Sequence, residues 1–389
     1  MKMLLTGLAE QGQMTNYGFR LFRVTVHRSG RGDALSVEVG VGESKQHIRD
    51  YLFDLVSARK LLECHGTPTA SDLDDADDGV DEEEITEEEQ AEAQAKEAAK
   101  PVLVVTDVDR RGDHMVIEYV YGRRQGFTGA GYAGNGAAPL DISDLKSVRP
   151  YRAVFMFPDV GELGIAAVED ASRTHASKKL EQWMRAWARE DGKAEAAEEA
   201  ETTGKKIVRP VWWSLRFTPL SDPEKLKSLM TNGTSSKIVL TKQGGSDTNT
   251  PGKSPLKVEM GLSENSAIAR ARKVLNGWIE YFNGPATAPG DAQTQATKDL
   301  AAVLGDSYDN FDDQDYDDAW IEVKDADGKK KEISPSRWAD IFIYPVSRGV
   351  DCPTSRLFFG RVQRAVAPLE NSLEVSVDWA GWGVEDGEI

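Results

Sequence analysis

The sequence predicts an α+β protein with two main parts, in which amphipathic helices cover β-sheets and acidic, flexible insertions separate folded segments. Short runs of alternating or β-branched residues, bounded by glycine, proline and Asp-Gly turns, recur along the chain and are typical of strands. A smaller number of stretches place apolar side chains at helical spacing. With 389 residues, of which 40% are hydrophobic, the chain can bury more than one core.

The amino-terminal part, residues 1–65, is predicted to contain two strands and a helix. Apolar residues alternate in 16–27 and again in 35–41, which indicates strands. Residues 45–62 place isoleucine, leucine and valine on one helical stripe. The composition then changes to Asp, Glu, Ala and Gln over 66–100, where too little apolar surface is present to offset the entropy of ordering. We therefore expect an acidic linker there.

A central α+β domain is predicted over residues 101–282. Its expected strands are 102–105, 114–121, 151–157, 164–168, 208–217, 237–241 and 256–262. Its expected helices begin at Ser177, Pro223 and Ser266, and the first shows apolar residues at i, i+3, i+4 and i+7 from Leu180. An Ala/Glu-rich insertion is expected at 191–201.

A second linker is predicted over 283–318, since this segment is rich in glycine and proline and then in aspartate. Residues 319–389 form a β-rich carboxy-terminal portion in this prediction. Its expected strands are 320–324, 330–333, 341–346, 357–362 and 373–379. The Asp327-Gly328 pair between the first two of them is a strong hairpin signal.

The net charge of −18 comes from two local runs. Residues 72–92 contain thirteen acidic residues and no basic one, and residues 306–318 contain seven more. The rest of the chain therefore carries a net charge of about +2. Because the negative charge lies in segments that can be separate from a binding face, it does not exclude a nucleic-acid partner.

Other residue patterns exclude several classes of protein. The two cysteines are too few for a disulfide framework or a cysteine zinc site, and they suit a reducing cytoplasm. No two of the five histidines have the helical spacing of a metal-binding pair, so no metal is expected. No apolar run is long enough to span a membrane, and the amino terminus lacks a leader pattern. We therefore expect a cytoplasmic protein without a membrane partner.

The most tempting cofactor motif is Gly129-Ala-Gly131-Tyr-Ala-Gly134, which fits G-x-G-x-x-G after a strand. A dinucleotide site also needs a helix that opens at the third glycine. Here the chain continues through Asn135 to Pro139, which disfavours a helix. The sequence therefore predicts no cofactor.

Two groups of residues are candidates for contacts with nucleic acid. The glycine-rich stretch and the helix after Ser177 both contain cations that suit phosphates, and the former adds aromatic rings that suit stacking on bases. The candidates are Arg123, Arg124, Phe127, Tyr132, Lys178, Lys179, Arg185 and Arg189. A plain surface loop and a solvated helix face explain the same residues.

The sequence is also compatible with two further functions. Asp318, Glu322 and Lys324 match D-x3-E-x-K, in which a carboxylate holds Mg²⁺ and a lysine stabilises the attacked phosphate of a nuclease. The Asp327-Gly328 turn also explains the stretch as a plain hairpin with charged outer residues. The acidic runs are usually tethers, and their alternative role is to mimic DNA or to bind a basic protein partner.

The segment from His114 to Glu190 resembles, in layout, uncharacterised prokaryotic proteins associated with phages and other mobile elements. The similarity is carried by Tyr121-Gly122-Arg123, the strands at 152–158 and 164–169, and the amphipathic helix after Ser177. In its size and two-part architecture the chain also resembles phage exclusion proteins of the Rex type. That resemblance implies a homodimer and sequence-independent DNA binding. The favoured prediction is a non-catalytic binding protein of a phage or mobile element that acts in exclusion or defence.

Overall fold

The computed structural model divides the chain into two compact units, Met1–Phe217 with Pro345–Ile389, and Thr218–Tyr344. Its description covers residues 15–29, 34–39, 45–68, 100–112, 114–124, 130–131, 140–141, 146–172, 174–204, 210–220, 222–232, 235–242, 256–262, 265–283, 289–305, 316, 318–324, 330–349, 352–373, 375–379 and 382. Most of the acidic run at 306–318 and all of that at 72–92 lie outside these residues.

The described elements confirm the mixed α+β class. The strands are β1 (Thr15–Arg28), β2 (Glu38–Val39), β3 (Gln46–His47), β4 (Glu63–His65), β5 (Val102–Arg111), β6 (His114–Arg124), β7 (Ala130–Gly131), β8 (Leu140–Asp141), β9 (Lys146–Met156), β10 (Leu163–Ala171), β11 (Trp213–Pro219), β12 (Ser235–Lys242), β13 (Leu256–Gly261), β14 (Asp318–Lys324), β15 (Lys330–Ile333) and β16 (Ile343–Gly349). The helices are α1 (Ile48–Ser57), α2 (Ser177–Thr203), α3 (Pro223–Asn232), α4 (Asn265–Asn283), α5 (Pro289–Gly305), α6 (Trp338–Ile341), α7 (Ser355–Val366) and α8 (Glu370–Leu373).

The first unit is built on one large sheet. Its strand order is β11-β1-β10-β9-β6-β5-β4, and β16 also pairs with β1. The central pairs are antiparallel, and their register aligns buried apolar residues across the sheet. One such row contains Phe22, Ala166, Phe155 and Met115.

Helices cover both faces of this sheet. Phe22 and the residues that share its face pack with buried side chains of α1 and α2, among them Leu52 and Leu180. Phe19 points to the opposite face, because successive strand residues alternate. Its ring centroid lies 5.8 Å from that of Phe358 in α7. The helices α2 and α7 therefore lie on opposite sides of the sheet.

The second unit is a four-stranded antiparallel sheet with helices packed on one face. Its order is β13-β12-β14-β15. Apolar residues of β12 and β14 form its core together with residues of α4, α5 and α6. The predicted β14–β15 hairpin is confirmed by register pairs from Ile321 with Ile333 to Lys324 with Lys330. The predicted Asp327-Gly328 turn lies outside the described residues.

The structure divides the chain differently from the five-part prediction. Strand β1 pairs with β10 and β4 pairs with β5, so the predicted amino-terminal unit and much of the predicted central domain share one sheet. The second unit begins at Thr218, inside the predicted central domain, and ends at Tyr344. The sequence shows where strands form, but pairing between distant strands leaves no local signal.

Several predicted elements also differ. The predicted strand at 357–362 is helix α7, and residues 375–379 form no strand. The predicted insertion at 191–201 is helical and continues α2 to Thr203. This helix ends at Gly204, which has the left-handed backbone angle φ of 67° that glycine adopts without strain. Within the predicted linker at 283–318, α5 begins at Pro289.

Among the helices in the described part of the chain, none is both long enough and apolar enough to cross a lipid bilayer.

Candidate nucleic-acid interface

Two of the predicted cations on α2 face solvent. The buried side of this helix contains Leu180, Met184 and Trp187, as their spacing predicts. Lys178 and Arg185 are exposed and are seven residues apart, so they lie on the same side of the helix. They remain available for an electrostatic contact.

The other two predicted cations of α2 contact the protein itself. Lys179 is half-buried, and its amino group donates a hydrogen bond to the hydroxyl of Thr67. Burial, and to a smaller extent the neighbouring Lys178, lowers the pKa of Lys179 below the usual lysine value. Arg189 has only 4% of its surface exposed, and its guanidinium carbon lies 5.8 Å from the ring centroid of Trp212.

The burial of Arg189 contradicts its predicted role in phosphate contact. Periodicity places Arg189 opposite the apolar stripe of α2, where solvent would normally be expected. However, the segment before β11 packs against this part of the helix. An added side-chain carbon at Gly192 would come within 2.7 Å of the carbonyl oxygen of Val211. Around Arg189 and Gly192, helix α2 is therefore covered by other parts of the protein on more than one side.

The predicted residues of the glycine-rich stretch are only partly described. Arg123 and Arg124 are the last two residues of β6 and pair with Ser147 and Lys146 of β9. Their side chains lie outside the described part of the structure, and so do Phe127 and Tyr132.

Helix α7 presents exposed arginines that the sequence interpretation missed. Its buried residues are Phe358, Phe359, Val362 and Val366. Leu357, Arg361 and Arg364 follow at i, i+4 and i+7 on the exposed side, and we call these three residues the α7 stripe. Arg356, which is also exposed, borders the stripe.

The charge of the α7 stripe is not neutralised within the described part of the chain. Neither Arg361 nor Arg364 has an ion-pair partner among the described residues, and α7 contains no acidic residue. Arg364 lies in the last turn, where a cation is also favourable to the helix dipole. That effect accounts for Arg364 but not for Arg361, which lies one turn earlier.

The amino terminus of α7 is held by a local cap and by the sheet. The Thr354 hydroxyl accepts a hydrogen bond of 3.3 Å from the Leu357 amide. From β9, the Arg152 guanidinium donates to the Pro353 carbonyl oxygen at 2.9 Å and to the Ser355 hydroxyl at 3.4 Å. Its central carbon also lies 4.6 Å from the ring centroid of Phe358.

A carboxylate in the sheet orients Arg152. Glu169 of β10 accepts hydrogen bonds from the Arg152 Nε at 3.0 Å and from Nη2 at 2.7 Å. It also accepts one from the Arg152 backbone amide at 3.0 Å. Both side chains are buried. This paired and hydrogen-bonded charge fixes α7 on the sheet, so the stripe is carried by a rigid element.

The nuclease candidates share one face of β14, as their even spacing predicts. Glu322 is buried, and its Oε1 lies 3.4 Å from the Nζ of Lys237 and 3.4 Å from the Nζ of Lys330. Asp318 accepts a hydrogen bond of 2.9 Å from the Ala319 amide. Glu322 is therefore part of a charge ladder across the sheet.

The described contacts of Glu322 are with lysines. No group of three or more His, Cys, Asp or Glu side chains in that part of the chain could hold a metal ion. The ladder continues to β13, where Glu259 lies 2.7 Å from Lys237 and 2.6 Å from Lys257. Hydrogen bonds from Lys237, and then from Lys257, lower the pKa of Glu259 to about 2.

A local signal for α7 is present in the sequence. Thr354 is a favourable residue before a helix, and apolar residues follow at helical spacing at 358, 359, 362 and 366. The adjacent Leu357, Phe358 and Phe359 suggest a strand instead, because short apolar runs do not distinguish the two structures.

Comparisons of this chain with protein-family models, with curated proteins and with solved structures gave no match.

Proposed function

We propose that this chain is a non-catalytic protein that binds nucleic acid through its sugar–phosphate backbone, without sequence specificity. The α7 stripe is the surface that makes the contact. The observation that carries the proposal is the pair of exposed arginines, Arg361 and Arg364, that have no acidic partner among the described residues of a helix anchored to the sheet.

The chemistry of the stripe suits phosphates. An arginine guanidinium presents several donors in a planar fork that fits phosphate oxygens. The two arginines are three residues apart, so they are separated by about 4.5 Å along the helix axis, which is close to one nucleotide step of about 3.4 Å along one strand. Two long guanidinium side chains at this separation suit contacts to neighbouring phosphates. Contacts of this kind give affinity and orientation but do not distinguish bases.

The biological setting is part of the proposal. The resemblance to proteins of phages and mobile elements supports a role in exclusion or defence. The resemblance to Rex-type proteins supports a homodimer, which would present two copies of the stripe. Two copies linked in one particle raise the effective affinity for a long nucleic acid.

The test is a titration of a fluorescent DNA duplex with the full chain, followed by anisotropy between roughly 50 and 200 mM salt. We expect the wild-type affinity to fall steeply with salt. The double variant Arg361→Glu/Arg364→Glu should bind at least about tenfold more weakly, and its slope of log affinity against log salt should be smaller by about 2.

A matched charge reversal controls for the change in net charge. Arg272 and Lys273 are exposed on α4 of the second unit. The variant Arg272→Glu/Lys273→Glu should retain the wild-type salt slope. If wild-type protein does not bind at low salt, or if both double variants lose affinity equally, the assignment of the α7 stripe is wrong.

A further inference from the structure

The four-stranded sheet of the second unit has one face turned away from the core that its helices share. Ile238 of β12, together with Ile321 and Val323 of β14, belongs to that core. Because successive strand residues point to opposite sides of a sheet, the residues between them lie on the other side. We call this side the outer face, and its described residues on β12, β14 and β15 include Lys237, Val239, Trp320, Glu322, Lys324, Lys330 and Glu332.

Trp320 supplies an aromatic ring on the outer face. Its cross-strand neighbour is Val239, which is fully buried, whereas Trp320 itself is half-buried. The indole Nε1 of Trp320 is buried and has no hydrogen-bond partner among the described residues. Since this nitrogen is the only polar atom of the side chain, the part of the side chain that solvent reaches is ring carbon. Nucleic-acid bases stack on aromatic surfaces of this kind.

Two lysines lie at the far end of β14 and on the adjacent strand. Lys324 and Lys330 are direct cross-strand partners, and both are exposed. Lys324 has no ion-pair partner among the described residues. Like charges directly opposite each other are destabilising, and a bound anion such as phosphate relieves the repulsion. The pair therefore favours an anionic ligand.

The described glutamates of the outer face are paired with cations. Glu322 separates Trp320 from Lys324 along β14, and it is buried. Its Oε1 lies 3.4 Å from the Nζ of Lys237 and 3.4 Å from the Nζ of Lys330. The other pairs are Glu259 with Lys237 at 2.7 Å and with Lys257 at 2.6 Å, and Glu332 with Arg337. This pairing reduces the repulsion that the carboxylates would exert on a phosphate.

We propose that the outer face binds single-stranded nucleic acid, with one base stacked on Trp320 and nearby phosphates held by Lys324 and Lys330. Four residues of a strand span about 13 Å, so the ring and the lysine pair suit a segment of a few nucleotides. In a duplex the bases stack on one another, so Trp320 has no free base face to contact. Stacking and phosphate contacts do not distinguish the bases, so the ligand class is a single strand of DNA or RNA of any sequence.

This proposal is separate from the contact between duplex DNA and the α7 stripe, since all its residues belong to the second unit. The stripe also attracts a single strand electrostatically, which would obscure the contribution of the outer face. The parent protein for the test is therefore the full chain with Arg361→Glu/Arg364→Glu. Failure of the duplex assignment would leave this test intact, because it measures binding that remains without the stripe.

The ring is tested with fluorescent oligothymidylate and oligouridylate of about 15 nucleotides, and with a duplex of the same length, by anisotropy at roughly 50 mM salt. We expect the parent to bind one or both single strands at least about tenfold more tightly than the duplex. Adding Trp320→Leu should weaken single-strand binding about fivefold or more, because stacking is lost. Trp320→Phe keeps an aromatic ring and should stay within about threefold of the parent.

The lysines are tested by the salt dependence of single-strand binding. Adding Lys324→Gln/Lys330→Gln should reduce the slope of log affinity against log salt by about 1.4, since a single strand gives about 0.7 per neutralised phosphate. The matched control is Lys273→Gln/Lys298→Gln, which removes two exposed lysines of α4 and α5 in the same unit. This control should retain the slope of the parent.

Photocrosslinking locates the contact without any substitution on the outer face. An oligonucleotide that carries bromouracil is irradiated with the parent, and we expect mass spectrometry to find it on the peptide that contains Trp320. Absence of single-strand binding by the parent at the lowest salt would overturn the proposal. So would crosslinks confined to the first unit, or equal losses in Trp320→Leu and Trp320→Phe when both melt at the temperature of the parent.

Discussion

Helices α2 and α7 both carry basic residues, yet they use them differently. On α2, the protein itself contacts two of the four predicted cations, since Lys179 donates to Thr67 and Arg189 packs on Trp212. On α7, Arg361 and Arg364 are exposed and have no ion-pair partner among the described residues. The difference lies in what packs on the far side of each helix. The sequence of a helix thus shows how many basic residues it has, whereas tertiary packing determines how many of them are exposed and available for contact with a partner.

The largest effect is expected from the anchor of α7. Arg152→Met leaves the buried Glu169 carboxylate without its charged partner, so we expect a loss of about 3–5 kcal/mol in the free energy of unfolding. Urea denaturation of the variant against wild type measures it. The double variant Arg152→Met/Glu169→Leu removes both charges and should recover part of the loss. A single-variant loss below about 1 kcal/mol would show that this pair does not hold the helix.

A smaller loss of stability is expected at Arg189. Arg189→Met removes the contact of the guanidinium with Trp212 and should cost about 1–3 kcal/mol, because the charged end is buried. Nucleic-acid affinity should stay at the wild-type value. Arg185→Met, at an exposed position on the same helix, should change stability by less than about 0.5 kcal/mol. Similar effects of the two variants on unfolding would mean that Arg189 is not buried in solution.

The pH dependence of α2 provides a third test. Burial raises the pKa of Glu181 to about 7, although its hydrogen bond from the Phe217 amide and the nearby Arg216, Arg185 and Lys178 oppose this shift. Because the folded pKa lies above the unfolded value, folding favours the protonated form. The stability that this gives is present below about pH 4.5 and is lost as the pH rises to about 7.

At pH 8, the free energy of unfolding of Glu181→Gln, measured by urea denaturation, should therefore exceed that of wild type by about 1–3 kcal/mol. At pH 5 the two values should differ by less than about 1 kcal/mol. Glu198→Gln is the matched control, because Glu198 is exposed on the same helix. Its stability should follow that of wild type at both pH values. A gain at pH 5 as large as that at pH 8 would contradict the titration of Glu181.

The smallest effect is expected from the exposed cations of α2. Lys178→Glu/Arg185→Glu should weaken DNA binding by less than about threefold at 0.15 M salt, because α2 and α7 lie on opposite faces of the sheet and the Debye length is about 8 Å. Anisotropy titration against Arg361→Glu/Arg364→Glu makes the comparison directly. A loss of DNA affinity as large as that of the α7 variant would indicate that the interface lies on α2.

Local patterns predicted those parts of the fold that local interactions determine. The strands β9 and β10, the β14–β15 pair and the buried stripe of α2 are all as the sequence indicates. Helix α7 was missed because its three adjacent apolar residues, Leu357 to Phe359, are compatible with either structure, and contact with Phe19 of β1 favours the helix. The long-range pairs of β1 carry no signal that one sequence reveals.

The candidate site was predictable only in part for the same reason. Lys178 and Arg185 are exposed as expected, whereas the burial of Arg189 depends on a segment more than twenty residues farther along the chain. The α7 stripe could not be recognised without first assigning the helix. The orientation of Arg152 depends on Glu169, which lies on a different strand.

Strand β1 has a consequence for synthesis on the ribosome. It pairs with β11, which leads into the second unit, and with β16, which leads out of it. A nascent chain must therefore extend past Gly349 before β1 acquires all its neighbours. The second unit emerges in full before that moment and can become compact while the larger sheet still has an open edge. During this interval the unfinished sheet is a natural substrate for chaperones, and stalling or truncation between the two units would leave it prone to aggregation.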